Sequence, residues 1–203
     1  MTDVPRRISC RLCGWASLTT VLDLGTLAYC GVFPKPGVSV PSGPVELVTC
    51  DACGLAQLAH EYPLADLYGD HYGYRSGLNA SMVAHLREIA TEAWRLAKAA
   101  PGDTVVDIGA NDGTLLGCYP TTARRIGFDP LCEKYAAHYA PGIGRVPDFF
   151  TPESSLLVGL ESVAIVTSIA CFYDMPDPVG VARNIAKIQI GRASCRERVS
   201  SPV

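Results

Sequence analysis

Two Cys-x-x-Cys-Gly motifs, a series of short apolar runs in the second half of the chain, and one apolar run that enters a glycine turn together predict an α/β protein. The expected architecture is a small four-cysteine metal ribbon followed by a doubly wound parallel sheet. The sequence has 203 residues, 48% hydrophobic and 18% charged, with a formal net charge of −3. That composition supports a packed core and argues against disorder. The longest apolar stretch, residues 162–172, is far shorter than the ~20 residues of a membrane-spanning helix, and it reads as a buried strand. The opening MTDVPRRIS lacks the apolar run of a secretory signal, so no membrane association is expected and the cytoplasm is the expected location.

A reducing compartment gives the nine cysteines their meaning, because clustered thiols there serve metals or catalysis more often than disulfides. Cys10, Cys13, Cys50 and Cys53 form the pairs CRLCG and CDACG, with 36 residues between them. A Cys-x-x-Cys turn brings two thiolates to one side of a tight loop, and the following glycine permits the positive φ that turns backbone N–H groups toward sulfur. Four thiolates in a tetrahedron favour zinc or iron over hard cations, and the repeated form is that of a structural zinc ribbon. A redox pair would need only one such motif, opening a helix. Cys118, Cys132 and Cys171 read as small buried hydrophobes. Residues 1–70 carry four basic against seven acidic side chains, a poor match for phosphate backbones, so nucleic acid is not an expected partner.

The segment FPKPGVSVPSGP, residues 33–44, suits a loop between the two metal knuckles, and YPLADLYGDHYGYRSG, residues 62–77, suits an irregular connection. Met82, Leu86, Ile89, Ala90, Ala93, Trp94 and Ala97 recur at helical spacing, with Asn79 or Ser81 as N-cap and Pro101-Gly102 as the stop. Beyond Gly102, the runs TVVDIG, RRIGFD and VAIVTSI read as parallel strands buried on both faces. A last helix is expected over residues 179–188. The organisation is then a zinc-binding module at 1–70, a connecting segment and helix at 71–100, and a sheet domain at 101–189.

The run VVDIGANDGTLL, residues 105–116, passes from a strand into a glycine turn and then a helix, the arrangement at which open α/β sheets bind ligands. A dinucleotide fingerprint counted from Gly109 would require glycine where Asn111 and Thr114 stand, which weakens a nicotinamide-dependent reductase. The carboxylate of Asp107, just before the turn, suits a ligand with an ammonium or sulfonium group instead. That chemistry points to S-adenosylmethionine held around Asp107, Gly109, Asn111, Asp112 and Gly113. Asp129, twenty positions past Gly109, is placed to take ribose hydroxyls. Asp148 and Phe149, after an expected third strand, are placed to meet the adenine amino group and ring face.

These residues resemble the sugar C-methyltransferase family. The carriers are CRLCG, LDLG at 22–25, PVELVTCDACGLAQL at 44–58, HYGYRSG at 71–77, VVDIGANDGTLL, IGFDP at 126–130, DFFT from Asp148, and IVTSIACFYDMPDP at 165–178. The resemblance covers the chain to about Lys187. It implies a zinc-binding module followed by a Rossmann-like class I methyltransferase domain, incomplete here, with a further α/β domain after it. It also implies a nucleotide-linked keto-deoxysugar as substrate, methylated on the carbon beside its ketone through an enolate. Tyr72, Tyr74 and Ser76 match a stretch that lies by the family's active site. Tyr173 then borders the pocket, Ser168 joins the cofactor set, and the catalytic base is expected beyond the strands present here.

After the strand ending near Ser168 there is room for one helix before the sequence becomes hydrophilic. Residues 190–199, IGRASCRERV, look like read-through of a sequencing adapter, so 190–203 are set aside as an artefact. The expectation is an enzyme fragment without activity of its own. A second reading stays open: a zinc-ribbon interaction module with a non-catalytic α/β remnant. The sugar, its nucleotide, the stereochemistry and the oligomeric state are not encoded in these motifs.

Overall fold

The computed structural model describes residues 4–29, 35–157, 159, 160 and 162–189. The adapter-like tail and the start of the 33–44 loop lie outside the described residues. The chain divides into two compact units, Met1–Tyr74 with Asp174–Val179, and Arg75–Tyr173 with Gly180–Val203.

The first unit is built on an antiparallel sheet in the order β1-β2-β3, formed by β1 (Leu18–Ala28), β2 (Ser42–Cys50) and β3 (Ala56–Leu58). The 33–44 loop is therefore shorter than its proline and glycine content suggests, because pairing with β1 draws Ser42, Gly43 and Pro44 into β2. The register of β1 slips between Asp23 and Thr26, where Gly25 takes φ +68° and donates its N–H to the Asp23 carboxylate. The LDLG motif is thus a bulge that twists an edge strand. Gly43 is needed where it stands, since a Cβ there would lie 2.7 Å from the Tyr62 hydroxyl, which donates to the Pro44 carbonyl. Tyr62 in turn packs edge-on against Tyr29, ring centroids 5.2 Å apart. Within 62–77 a four-residue helix, α1 (Leu64–Leu67), and a 3-10 turn at Ser76–Leu78 interrupt an otherwise irregular path.

The second unit contains α2 (Ala80–Ala97), β4 (Thr104–Ile108), α3 (Thr114–Gly117), β5 (Arg124–Phe128), β6 (Ile143–Val146), α4 (Pro152–Leu157) and β7 (Val163–Thr167), with most of α5 (Pro178–Ile188). Its four strands are parallel, in the order β6-β5-β4-β7. All five residues of β4 are buried, as a central parallel strand requires. The fold class is the expected one, an α/β chain with a four-cysteine module and a partial Rossmann-like sheet.

Asn79 caps α2 by accepting from the Ser81 N–H, and Leu86 and Ala90 form its buried stripe. The helix ends sooner than its proline signal, because Lys98 turns left-handed at φ 51° and closes the last turn. Pro101 and Gly102 fall in the turn that follows. The helix after the glycine loop is only four residues long. Tyr119 precedes Pro120 and is steered away from the α region, which stops propagation there. Of the three cysteines expected to be buried, Cys132 is, whereas Cys118 and Cys171 are half-buried because they sit on loops at the sheet margin.

Candidate functional site

The four cysteines meet in the first unit. Their sulfurs all lie within 4.8 Å of one another, with Cys10 Sγ 3.7 Å from Cys53 Sγ and Cys13 Sγ 3.5 Å from Cys50 Sγ. Sulfurs arranged tetrahedrally at ~2.3 Å from a zinc ion stand about 3.8 Å apart, whereas a disulfide would need ~2.05 Å. The spacing fits a metal and excludes a bridge.

Both knuckles are built alike. Gly14 and Gly54, at φ +76° and +75°, donate to the carbonyls of Cys10 and Cys50, each at 2.9 Å. Cys10 and Cys50 return the turn by donating to Trp15 and Leu55. Cys10 and Cys50 are buried, while Cys13 and Cys53 face solvent. Burial raises the Cys10 thiol, but the Cys13 and Leu12 N–H groups outweigh it and bring the value to about 7. Thiolates this close repel one another, and a divalent cation removes that cost.

The second unit holds the glycine loop at the carboxyl end of β4. Strand order advances from β4 through β5 to β6 and then returns to the other side of β4 for β7, so the loop stands at the topological switch point. Gly109 sits at φ +77° with Cys171 packed against it, where a Cβ would come within 2.8 Å of the Cys171 Sγ. Gly113, at φ +74°, has the Tyr139 ring where a Cβ would be. Between them Asn111 takes φ +50°, a left-handed conformation that asparagine tolerates better than most side chains. Asn111 thus does the backbone work of the missing fingerprint glycine.

Asp107 is buried at the end of β4, where the Thr167 hydroxyl donates to its Oδ1 at 2.7 Å. Burial pushes its carboxyl up to about 7, against the pull of Thr167 and with help from Asp129 nearby. Asp129 is also buried, and its two oxygens accept the N–H groups of Asn111 at 2.8 Å and Leu131 at 2.7 Å. Burial raises its carboxyl as well, opposed by those two N–H groups. Each oxygen keeps a second lone pair for a hydroxyl donor. Asp112 is 1% exposed and accepts from Thr114 on one oxygen and from Gly77 and Arg75 on the other. Asp148 is exposed and accepts from the Phe149 N–H, while Phe149 is half-buried beside it. Ser168 follows β7, and its Oγ is buried without a hydrogen-bond partner.

The residues expected near a substrate divide between the units. Tyr72 and Tyr74, in the first, form an aromatic row with Tyr68 at centroid spacings of 5.2 and 6.5 Å. The Tyr68 hydroxyl donates to Asp174. Ser76, in the second unit, donates its backbone N–H to Asn111 Oδ1 at 3.0 Å. Tyr173 is exposed in the middle of the 3-10 turn Phe172–Asp174.

Comparison with known proteins identifies the relatives of this arrangement. Residues 10–68, which include all four cysteines, match a family model described as "Putative zinc binding domain". Over 186 residues, 87% of the chain, the sequence is 27% identical to the C-methyltransferase NovU of Streptomyces niveus, covering 44% of that protein. Over most of its length the chain is thus similar in sequence to a C-methyltransferase. It spans less than half the length of that curated relative. A match over 87% of the chain necessarily takes in the glycine loop at 109–113, so the similarity extends beyond residues 10–68.

Sequence reasoning missed four residues that shape the loop: Arg75, Thr167, Tyr139 and Cys171. Thr167 is signalled only by the parallel register that sets it opposite Asp107. Tyr139, whose hydroxyl donates to the Asn111 carbonyl at 2.9 Å, reaches the loop from 28 residues away with no motif around it. Among the described residues no helix is long and apolar enough to cross a membrane.

Proposed function

We propose that the full-length protein is an S-adenosylmethionine-dependent methyltransferase that methylates a nucleotide-linked keto-deoxysugar on the carbon beside its ketone. In this reading residues 1–70 are its zinc-binding module and 71–100 a connecting segment and helix. Residues 101–189 are the opening part of its methyltransferase domain, and the 203-residue chain does not catalyse the transfer by itself. The observation that carries the reading is a glycine loop at the switch point of a parallel sheet, flanked by Asp107, Asp129 and the unpartnered Ser168 Oγ, in a relative of a C-methyltransferase.

The donor set fits such a cofactor. Positive φ at Gly109, Asn111 and Gly113 brings backbone close to a ligand, Asp107 offers a counter-charge to a sulfonium or ammonium group, and Asp129 has lone pairs for ribose hydroxyls. Asp148 and Phe149 supply an acceptor and a ring face for adenine, and Ser168 a hydroxyl. Bound S-adenosylmethionine supplies an electrophilic methyl group. The work of this chain is to bind and orient: Tyr72, Tyr74, Ser76 and Tyr173 offer hydrogen bonds to a sugar, and tight positioning of the two reactants is itself a large part of such catalysis. The general base is assigned to the C-terminal part of the protein. The zinc ion is structural, the natural partners are small molecules rather than nucleic acid or membrane, and reduced cysteines suit the cytoplasm.

Isothermal titration of the purified chain with S-adenosylmethionine tests this. Saturable binding is expected, weakened roughly 100-fold by Asp107→Ala, the scale of a lost charge-assisted contact. Full zinc content without any cofactor binding would favour a zinc-ribbon interaction module instead. Methyl transfer by the 203-residue chain would refute the fragment assignment.

A further inference from the structure

Asn111 and Asp112 stand where a nucleotide fingerprint has glycine and a free position, and both spend their side chains on the same neighbouring segment. Asn111 Oδ1 accepts the Ser76 N–H at 3.0 Å, while Asp112 Oδ2 accepts the Gly77 N–H at 2.9 Å and pairs with Arg75 Nε at 3.2 Å. The other Asp112 oxygen caps the start of α3 through the Thr114 hydroxyl at 2.6 Å. One carboxylate therefore ties three pieces together: the segment 75–77, the loop and the helix that follows. Gly77 fits this contact because it has no side chain, since a Cβ there would lie 2.8 Å from both Asp112 Oδ2 and Thr114 Oγ1.

We infer that residues 75–77 form a clip that holds the 109–113 loop in its ligand-binding shape, with Asn111 and Asp112 as positioning residues that act through the clip. The inference rests on reading 109–113 as the cofactor loop. A left-handed non-glycine residue is strained, and it persists where surrounding contacts over-determine it. Asn111 is over-determined: its N–H is held by Asp129, its carbonyl by the Tyr139 hydroxyl and its side chain by Ser76. A glycine at 111 would reach the same φ but could not grip the clip. Asparagine at this position thus couples segment 75–77 to the loop, and Asp112, 1% exposed, contributes to ligand binding through that coupling.

Amide hydrogen exchange of the whole chain, followed residue by residue by NMR, tests the clip in two variants. Gly77→Ala leaves the loop sequence intact and pushes the segment off Asp112. It is expected to raise exchange tenfold or more at amides 76 and 77 and at Asn111 and Gly113, with β4 and β5 amides unchanged. Asn111→Gly keeps the loop conformation accessible and is expected to release the Ser76 amide. The same Gly77→Ala chain should bind S-adenosylmethionine about tenfold more weakly. Loop amides that stay protected while 76 and 77 open would overturn the clip. So would loss of affinity with loop exchange unmoved, which would make 75–77 a direct ligand contact. A wild-type chain that binds no cofactor, with both variants showing the expected exchange changes, would sink the cofactor reading alone and leave the clip standing.

Discussion

The two units solve the problem of staying folded in opposite ways. In β4 all five residues are buried, whereas in β1 ten of eleven are exposed, among them Val21, Leu22, Leu24 and Leu27. The parallel unit hides Val105, Val106, Ile108, Leu116 and Phe128 almost completely, so apolar burial holds it. Among the described residues of the first unit the buried apolar set is short, with Val4, Tyr29, Val48, Ala59 and Met175 as its members beside the buried cysteines. A unit of that size cannot rest on burial alone and needs a cross-link, which the four sulfurs provide through a metal. The comparison teaches that the four-cysteine cluster, rather than an apolar core, is the centre of the first unit.

Metal removal is the harshest way to break this contrast. Chelation, or Cys50→Ser, forfeits a binding free energy of about 10–16 kcal/mol for a structural zinc site. Amide protection is expected to vanish from β1, β2 and β3 while the β4 to β7 amides remain protected, as mass-spectrometric hydrogen exchange would show. Simultaneous loss in both units would erase the distinction. A core truncation sharpens it from the other side: Leu116, fully buried, should cost about 2–5 kcal/mol as Leu116→Ala. Val21→Ala, on an edge strand at 58% exposure, should stay within about 0.5 kcal/mol in the same denaturant titration.

Acidity separates the units more gently. Asp107 is raised by burial from its ordinary 3.8 to about 7, so between those pH values the folded chain binds more protons than the unfolded one. Stability of the second unit is then fully supported below about pH 4 by this group and falls as pH rises to about 7. Asp129, raised by burial, acts in the same direction, whereas Asp112 has its burial penalty outweighed by Thr114, Gly77 and Arg75 and contributes the opposite slope at lower pH. Asp107→Asn is expected to flatten the slope between pH 4 and 7, measured as the unfolding midpoint against pH. An unchanged slope would show that Asp107 does not titrate in that window.

Much of this was legible in the residues. Cys-x-x-Cys-Gly spacing encodes the knuckle directly, because the turn and its positive φ at Gly14 and Gly54 are local properties of five residues. The central strand was legible for a similar reason, since TVVDIG needs no partner to read as apolar, whereas VAIVTSI, expected to be buried on both faces, has only Val163 and Ile165 buried because β7 ends the row of strands. Helix ends were less so: Pro101 marks where a helix must have stopped, while Lys98 decided where it did. The function of Asn111 was half visible. As a departure from a glycine fingerprint it argued, with Thr114, against a dinucleotide, but the hold of Asn111 and Asp112 on segment 75–77 depends on two stretches 35 residues apart coming together.

By itself, then, the sequence determined the ligand chemistry of the metal, the α/β class and the strand that leads into the glycine loop, because these rest on residue type and short-range spacing. Tertiary structure decided which strand flanks which, and with it the pairing of Asp107 with Thr167, the grip of Tyr139 on Asn111 and the closure of 75–77 on Asp112. Those contacts join residues 28 to 60 positions apart. Hydrogen bonds of that reach carry no periodic signature, since only the packed sheet brings their partners within 3 Å.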